Sequence, residues 1–235
     1  MDLLFAGQRY HGWPVSLKLK SGLTVVIFVT GCCNLIYELA LAQMTSSFFG
    51  GTLYHYTLNI GLFILSMGIG SILADRIKRP DVTALLIRIE AALFVLALTM
   101  PFYVVFAEKF FSLTWFNILL WLTNMLLGFL SGFELPLFNR MFNDEHNAEK
   151  VLFFDYLGMF SGSVAFSFLL FPVLGVFGTL WLAALLNWLV LFGLVWVTRK
   201  SWGLSAGLGV GLVLTLLLII SNEHLLGFLQ RLYVN

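Results

Sequence analysis

The sequence predicts an all-α integral membrane protein, a polytopic helical bundle of seven transmembrane helices. Three observations carry this. Apolar residues make up 60% of the 235 residues and charged residues only 11%, with a mean hydropathy of +0.95. A soluble domain carries roughly 25% charged residues, so this chain has too few to coat a water-facing surface. Its apolar runs last about 20 residues, the length of a membrane-crossing helix rather than the ~10 alternating residues of a barrel strand. Finally, its basic residues fall almost entirely on one side of those runs.

The first apolar segment covers 21–45. Within it, Val29-Thr30-Gly31-Cys32, with Lys18 and Lys20 upstream, has the form of a bacterial lipoprotein cleavage box. A mature chain should begin polar after such a box, yet the apolar run continues through Leu41, so a retained helix is expected. The second segment, 57–74, is short but long enough to span. The third and fourth cover 84–107 and 113–138. The fifth and sixth, 151–171 and 175–198, are separated only by a turn around Pro172, Gly175 and Gly178. The seventh covers 203–221. Residues 1–20 form a cytoplasmic N-terminal segment, 21–221 the transmembrane domain, and 222–235 a tail too short and polar to span, expected along the interface.

Threading these segments puts Arg9, Lys18, Lys20, Arg76, Lys78, Arg79, Arg88, Arg140, Lys150, Arg199 and Lys200 on one side. Only Lys109 and Arg231 fall on the other. Basic loops stay in the cytoplasm, so the N-terminus is expected inside a bacterial cytoplasmic (inner) membrane. Seven spans would put the C-terminus outside.

Net charge is +1, which gives no reason to expect nucleic acid as a partner. The two cysteines, Cys32 and Cys33, are adjacent in an apolar run and read as small packing residues. There is no Gly-x-x-x-x-Gly-Lys loop, and the four histidines (11, 55, 146 and 224) are scattered, so neither a cofactor nor a metal is expected.

Helices in lipid associate by close packing, which favours small residues four apart. Gly128/Gly132, Gly158/Gly162 and Gly203/Gly207/Gly211 are such pairs and are expected at helix contacts. Polar residues also align. Gly31, Asn34, Glu38 and Thr45 recur at steps of three, four and seven, which is one helical face. Asn59, Ser66 and Gly70 do the same in the second segment, Asn124, Ser131 and Glu134 in the fourth, and Asp155, Gly158 and Gly162 in the fifth. Four helices are therefore expected to turn polar seams toward a common interior.

Counted from the cytoplasmic ends of their own segments, Glu90, Glu134 and Asp155 enter only a few residues. Together with Asp75, Arg76, Arg88 and Arg140 they suggest an inner charge layer, in which arginines pair with acids and latch the helix ends. Glu38 lies about fifteen residues into its segment, roughly 22 Å deep. No lysine or arginine is at that depth. An intramembrane carboxylate of this kind is either a functional site or a protonated group bonded to Asn34 or Asn59. The candidate solute- or proton-binding set is Glu38, Asn34, Asn59 and Asn124.

Five stretches carry a resemblance: "GCCNLIYELALAQ", "TLNIGLFILSMGIGSILADRI", "RIEAALFVLAL", "GFLSGFELPLFNRM" and "LFFDYLGMFSGSVAFSFLLFPVLGVFGTLWLAALLN". Together they resemble the membrane domain fused to many bacterial spermidine synthase-like proteins, the polyamine aminopropyltransferases. Glu38, Glu90, Glu134 and Asp155 all fall in the matching motifs. Full-length relatives carry in addition a soluble S-adenosylmethionine-type Rossmann domain with catalytic aspartates. These 235 residues hold no such region, so the resemblance implies a membrane domain standing alone, and not an enzyme. A weaker resemblance joins "GSILADRIKRP", 70–80, to the cytoplasmic loop of the major facilitator transporters, with Glu134 and Arg140 placed to latch it. That would imply half a transporter, and hence a homo-oligomer or a partner protein in the bilayer.

Two functions remain open on these residues. One is binding or movement of a small cationic solute, plausibly a polyamine, at Glu38. The other is a non-catalytic scaffold for another membrane or soluble protein, with the acids purely structural.

Overall fold

A computed structural model describes residues 17–77, 81–142, 148–198 and 202–221. Seven helices follow in order: α1 Leu17–Phe49, α2 Thr52–Arg76, α3 Val82–Phe110, α4 Leu113–Phe142, α5 Ala148–Ala165, α6 Phe171–Thr198 and α7 Trp202–Ile220. A π-helical turn, Phe166–Leu170, joins α5 to α6. There is no strand among the described residues, so the all-α class stands.

The turns follow from local chemistry. Gly50 and Gly51 have φ of 70° and 61°, a left-handed backbone that suits glycine and ends α1 before α2 begins. Asp81 caps α3 by accepting a hydrogen bond from the Ala84 amide at 2.9 Å. Gly175 (φ 67°, ψ −177°) is a non-helical break within α6, at the turn expected between the fifth and sixth segments.

The count of seven spans is not borne out. Five apolar stretches among the described residues are long enough to cross a bilayer: Gly22–Phe49, Leu53–Arg76, Val82–Phe110, Leu113–Phe142 and Ala148–Val195. The last runs for 48 residues, about 72 Å if it were straight. The break at Gly175 divides it, which makes five to six long apolar helices. The described apolar part of α7, Gly209–Ile220, is shorter than a span. The expected N-terminal segment and tail lie outside the described residues, apart from the first turn of α1. So do Lys78, Arg79, Arg199 and Lys200.

Glycines set the packing. The most extensive helix pairs are α2 with α4 and α1 with α5. In the first, a β-carbon on Gly128 would lie 2.6 Å from the Phe63 carbonyl oxygen, and one on Gly132 would lie 2.1 Å from that of Met67. In the second, Gly158 and Gly162 press on the Phe28 and Cys32 carbonyls of α1. The two glycine pairs expected at contacts are therefore at contacts. Of the third set, Gly211 packs against the rings of Phe94 and Trp188. The other faces are apolar and outward, including Val25, Leu65, Val95, Phe106, Leu122, Phe160 and Phe168.

Candidate functional site

α1 runs through the interior of the bundle, packing on α2, α4, α5 and α6. Its residues 33–38 point in two directions. Asn34 faces α4: its amide nitrogen donates to Glu134 Oε2 at 2.8 Å, and its amide oxygen accepts from Ser131 Oγ at 2.8 Å. Cys33 and Tyr37 face α6. Cys33 Sγ lies 3.6 Å from the Ala183 carbonyl, and the Tyr37 hydroxyl is beside Asn187. Asn187 reaches the backbone oxygen of Glu90 on α3 at 3.5 Å. Glu90 on α3 and Glu134 on α4 are both buried.

Five helices thus converge on an acidic core. Glu90 is 0% exposed and Glu134 3%. Both carboxyl oxygens of Glu90, Oε1 of Glu134, the Tyr37 hydroxyl and Oδ1 of Asn187 are buried without a hydrogen-bond partner. Asp155 is half-buried, against α1 at Gly31, where a β-carbon would be 2.9 Å from its Oδ1. Glycine at position 31 is what admits the carboxylate.

The expected inner charge layer takes a different form. Arg140 bonds the exposed end of α2, donating to the carbonyls of Ala74 (2.8 Å) and Ile77 (2.9 Å), with Asp75 at 3.5 Å. A guanidinium suits this position because the last carbonyls of a helix lack intrahelical donors. Arg76 and Arg88 are exposed. Among the described residues no ion pair joins Glu90, Glu134 or Asp155 to an arginine. The Arg140–Asp75 pair is a latch between α4 and the α2 end, but the acids are not part of it.

Glu38 is buried, 3% exposed, one helical turn beyond Asn34 on the same face of α1. Among the described residues it has no hydrogen bond or ion pair. The expected bonds to Asn34 or Asn59 are absent: the Asn34 amide is engaged elsewhere, and Asn59 Oδ1 is buried without a partner. Asn34 serves Glu134 and Ser131. Asn59 donates to the His55 carbonyl at 2.8 Å, and its own carbonyl accepts from Asn124 at 2.7 Å. Asn59 and Asn124 therefore pair α2 with α4 rather than lining one site with Asn34. The side chains that sequence reasoning missed are Tyr37 and Asn187. Asn187 is a single amide in the apolar run "AALLNWLV", and that isolation was its signal.

Comparison with known proteins gives the affiliation. No family model matches the chain. No solved structure matches it either, so the half-transporter architecture gains no support. A polyamine aminopropyltransferase of Oceanobacillus iheyensis is 30% identical over 218 residues, 87% of this chain and 42% of that protein. Polyamine aminopropyltransferase 2 of Ralstonia nicotianae is 30% identical over 193 residues, 79% of this chain and 37% of that protein. Polyamine aminopropyltransferase 2 of Aquifex aeolicus is 31% identical over 193 residues, 79% of this chain and 38% of that protein. The expectation of a non-enzyme is overturned here, because the proteins that align over most of this chain at about 30% identity are named for an enzymatic activity. The chain spans about two fifths of the length of these curated relatives, and over that segment it is a homologue of the bacterial polyamine aminopropyltransferases.

Proposed function

We propose that this chain is the membrane-embedded part of a polyamine aminopropyltransferase-like protein, and that it binds a small polyamine-like cation on the α1–α4 seam. The observation that carries this is a pair of buried carboxylates without a cation. Glu38 and Glu134 flank Asn34 on that seam, and neither meets a lysine or arginine among the described residues. A buried carboxylate is costly unless it is neutralised or paired. An ammonium group brings a positive charge and three donors, which suits Glu38 and the free oxygen of Glu134. The relatives' name supplies the solute class.

The same reading puts the protein in the bacterial cytoplasmic membrane. The N-terminus is then inside, on the asymmetry of basic residues, and the C-terminus outside. A second copy, or a protein partner in or at the bilayer, completes the assembly.

Equilibrium binding of labelled spermidine to the purified protein in lipid nanodiscs tests the proposal. Glu38→Gln and Glu134→Gln keep shape and remove charge, so each should weaken binding at least about tenfold, the equivalent of ~1.4 kcal/mol. Circular dichroism should show both variants helical. A wild-type protein that binds no spermidine, or a Glu38→Gln protein that binds it as well as wild type, refutes the site.

A further inference from the structure

Beyond Glu38, toward the turn between α1 and α2, lies a second set of buried polar atoms. Three side chains there follow one chain of hydrogen bonds. The Asn124 amide nitrogen donates to the Asn59 carbonyl at 2.7 Å, and the Asn59 amide nitrogen donates to the His55 carbonyl at 2.8 Å. A backbone carbonyl only accepts, so these bonds fix how both amides face, nitrogen toward the carbonyl and oxygen free. Asn59 Oδ1 and Asn124 Oδ1 are buried without a hydrogen-bond partner, and so is His55 Nδ1. Each free oxygen shares its amide carbon with a nitrogen in that chain, so the three unpaired atoms belong to one connected cluster. The His55 ring packs on Phe49 and Tyr54, with centroids 5.5 and 5.1 Å away. Buried acceptors left without a donor are costly. An ammonium group supplies three donors.

Helix register relates this cluster to Glu38. α2 and α4 run parallel, because Gly128 closes on Phe63 and Gly132 on Met67. α1 runs antiparallel to both, across the tight turn at Gly50 and Gly51. Asn34 is level with Ser131, which it bonds. Glu38 is four residues nearer the α1–α2 turn, about 6 Å along the axis. Asn124 is seven residues from Ser131 in the same direction, about 10.5 Å. The Glu38 level and the Asn124 level are therefore about 4–5 Å apart along the seam. Two ammonium groups joined by three or four carbons stand about 5–6 Å apart when extended, given C–C bonds of about 1.5 Å.

We infer that Asn59 Oδ1 and Asn124 Oδ1 form a second station, which takes the neighbouring ammonium group of a cation held at Glu38. His55 Nδ1 is its acceptor toward the α1–α2 turn. The inference rests on the solute reading above and narrows the ligand to cations with two ammonium groups three or four carbons apart. Glu38 holds one ammonium group by charge, and the amide oxygens accept the donors of the next. A monoamine leaves those oxygens bare, and a site built to bond a polar group discriminates against the analogue that lacks it.

Calorimetric titration of the full chain in nanodiscs with butane-1,4-diamine and with butan-1-amine tests the station, because the two differ in the second ammonium group. Wild-type protein should favour the diamine at least about tenfold. Asn59→Leu and Asn124→Leu keep much of the amide's shape without its oxygen, and each should bring that ratio close to one. General damage would weaken both amines alike and preserve the ratio. Glu134→Gln leaves the station in place and should also preserve the ratio, a result that bears on the station even if an asparagine variant does not fold. A ratio lost in Glu134→Gln but kept in both asparagine variants assigns the second ammonium group to that acid and overturns the station. A wild-type protein that binds spermidine without preferring the diamine overturns the station and leaves the Glu38 seam. One that binds no spermidine refutes the solute reading, and the station falls with it.

Discussion

Gly132→Ala is the most direct probe of how this bundle holds together. The added β-carbon would stand 2.1 Å from the Met67 carbonyl oxygen and 2.8 Å from its carbon, both backbone atoms of α2. Ordinary contact begins at 3.4 Å, so the gap must widen by about 1.3 Å, and a backbone cannot rotate aside as a side chain can. Opening a packed interface by 0.5–1 Å forfeits roughly a quarter to a half of each contact's attraction. Overpacking of this kind costs about 1–3 kcal/mol. Gly68→Ala is the matched control on the facing helix, because a β-carbon there meets nothing within 4 Å, and it should stay within about 0.5 kcal/mol of wild type. Unfolding by sodium dodecyl sulfate in mixed micelles, followed by circular dichroism, reads the difference as a lower denaturing mole fraction for Gly132→Ala. If the two variants unfold together, the backbone contact between α2 and α4 is not what stabilises the pair.

Three other outcomes are expected. Asn34→Ala strips Glu134 Oε2 and Ser131 Oγ of their partner, and leaving buried polar groups unpaired costs about 1–3 kcal/mol. In a double-mutant cycle with Glu134→Gln, the same unfolding assay should show non-additivity, whereas independent effects would deny the bond. Arg140→Ala frees the carbonyls of Ala74 and Ile77; hydrogen exchange should rise around residues 74–77 and stay unchanged near Asn124, and uniform acceleration would contradict a local latch. A reporter fused at the N-terminus should score as cytoplasmic, and a periplasmic score would refute the orientation read from the basic residues.

The helical class, the polar stripes and the glycine contacts were legible because each follows the 3.6-residue period, which the sequence displays directly. Asn34, Ser131 and Glu134 lay on faces predicted to point inward, and they do. Their depths were misjudged. Depth was counted from the end of each apolar run, as if all helices began at one level. But the Asn34 amide bonds Glu134, which puts the two level although Asn34 lies much farther from the start of α1 than Glu134 does from the end of α4, so the helix ends are not level. The acid expected in the inner charge layer at the cytoplasmic helix ends is therefore a group of the bundle's interior. Asn187 made no stripe, so periodicity could not find it. Its neighbour Tyr37 looked like any aromatic in a membrane helix. The number of spans is not confirmed: the 48-residue apolar stretch is broken at Gly175, where the turn was expected, but the described apolar part of α7 is shorter than a span.

The glycine contacts also fix where this bundle has freedom. Where backbone touches backbone, as in α1 with α5 and α2 with α4, neither helix can slide without a carbonyl striking a Cα. Each pair is a stiff beam. Between the beams the seam is spanned by side chains, and the Asn34 amide that ties α1 to Ser131 and Glu134 is a rivet of two hydrogen bonds. Hydrogen bonds exchange partners with little cost; interlocked backbones do not. The compliant direction of the protein is therefore the one in which the two beams part, and the rivet that resists it carries a carboxylate. Whatever neutralises Glu134 also sets how tightly the beams are held.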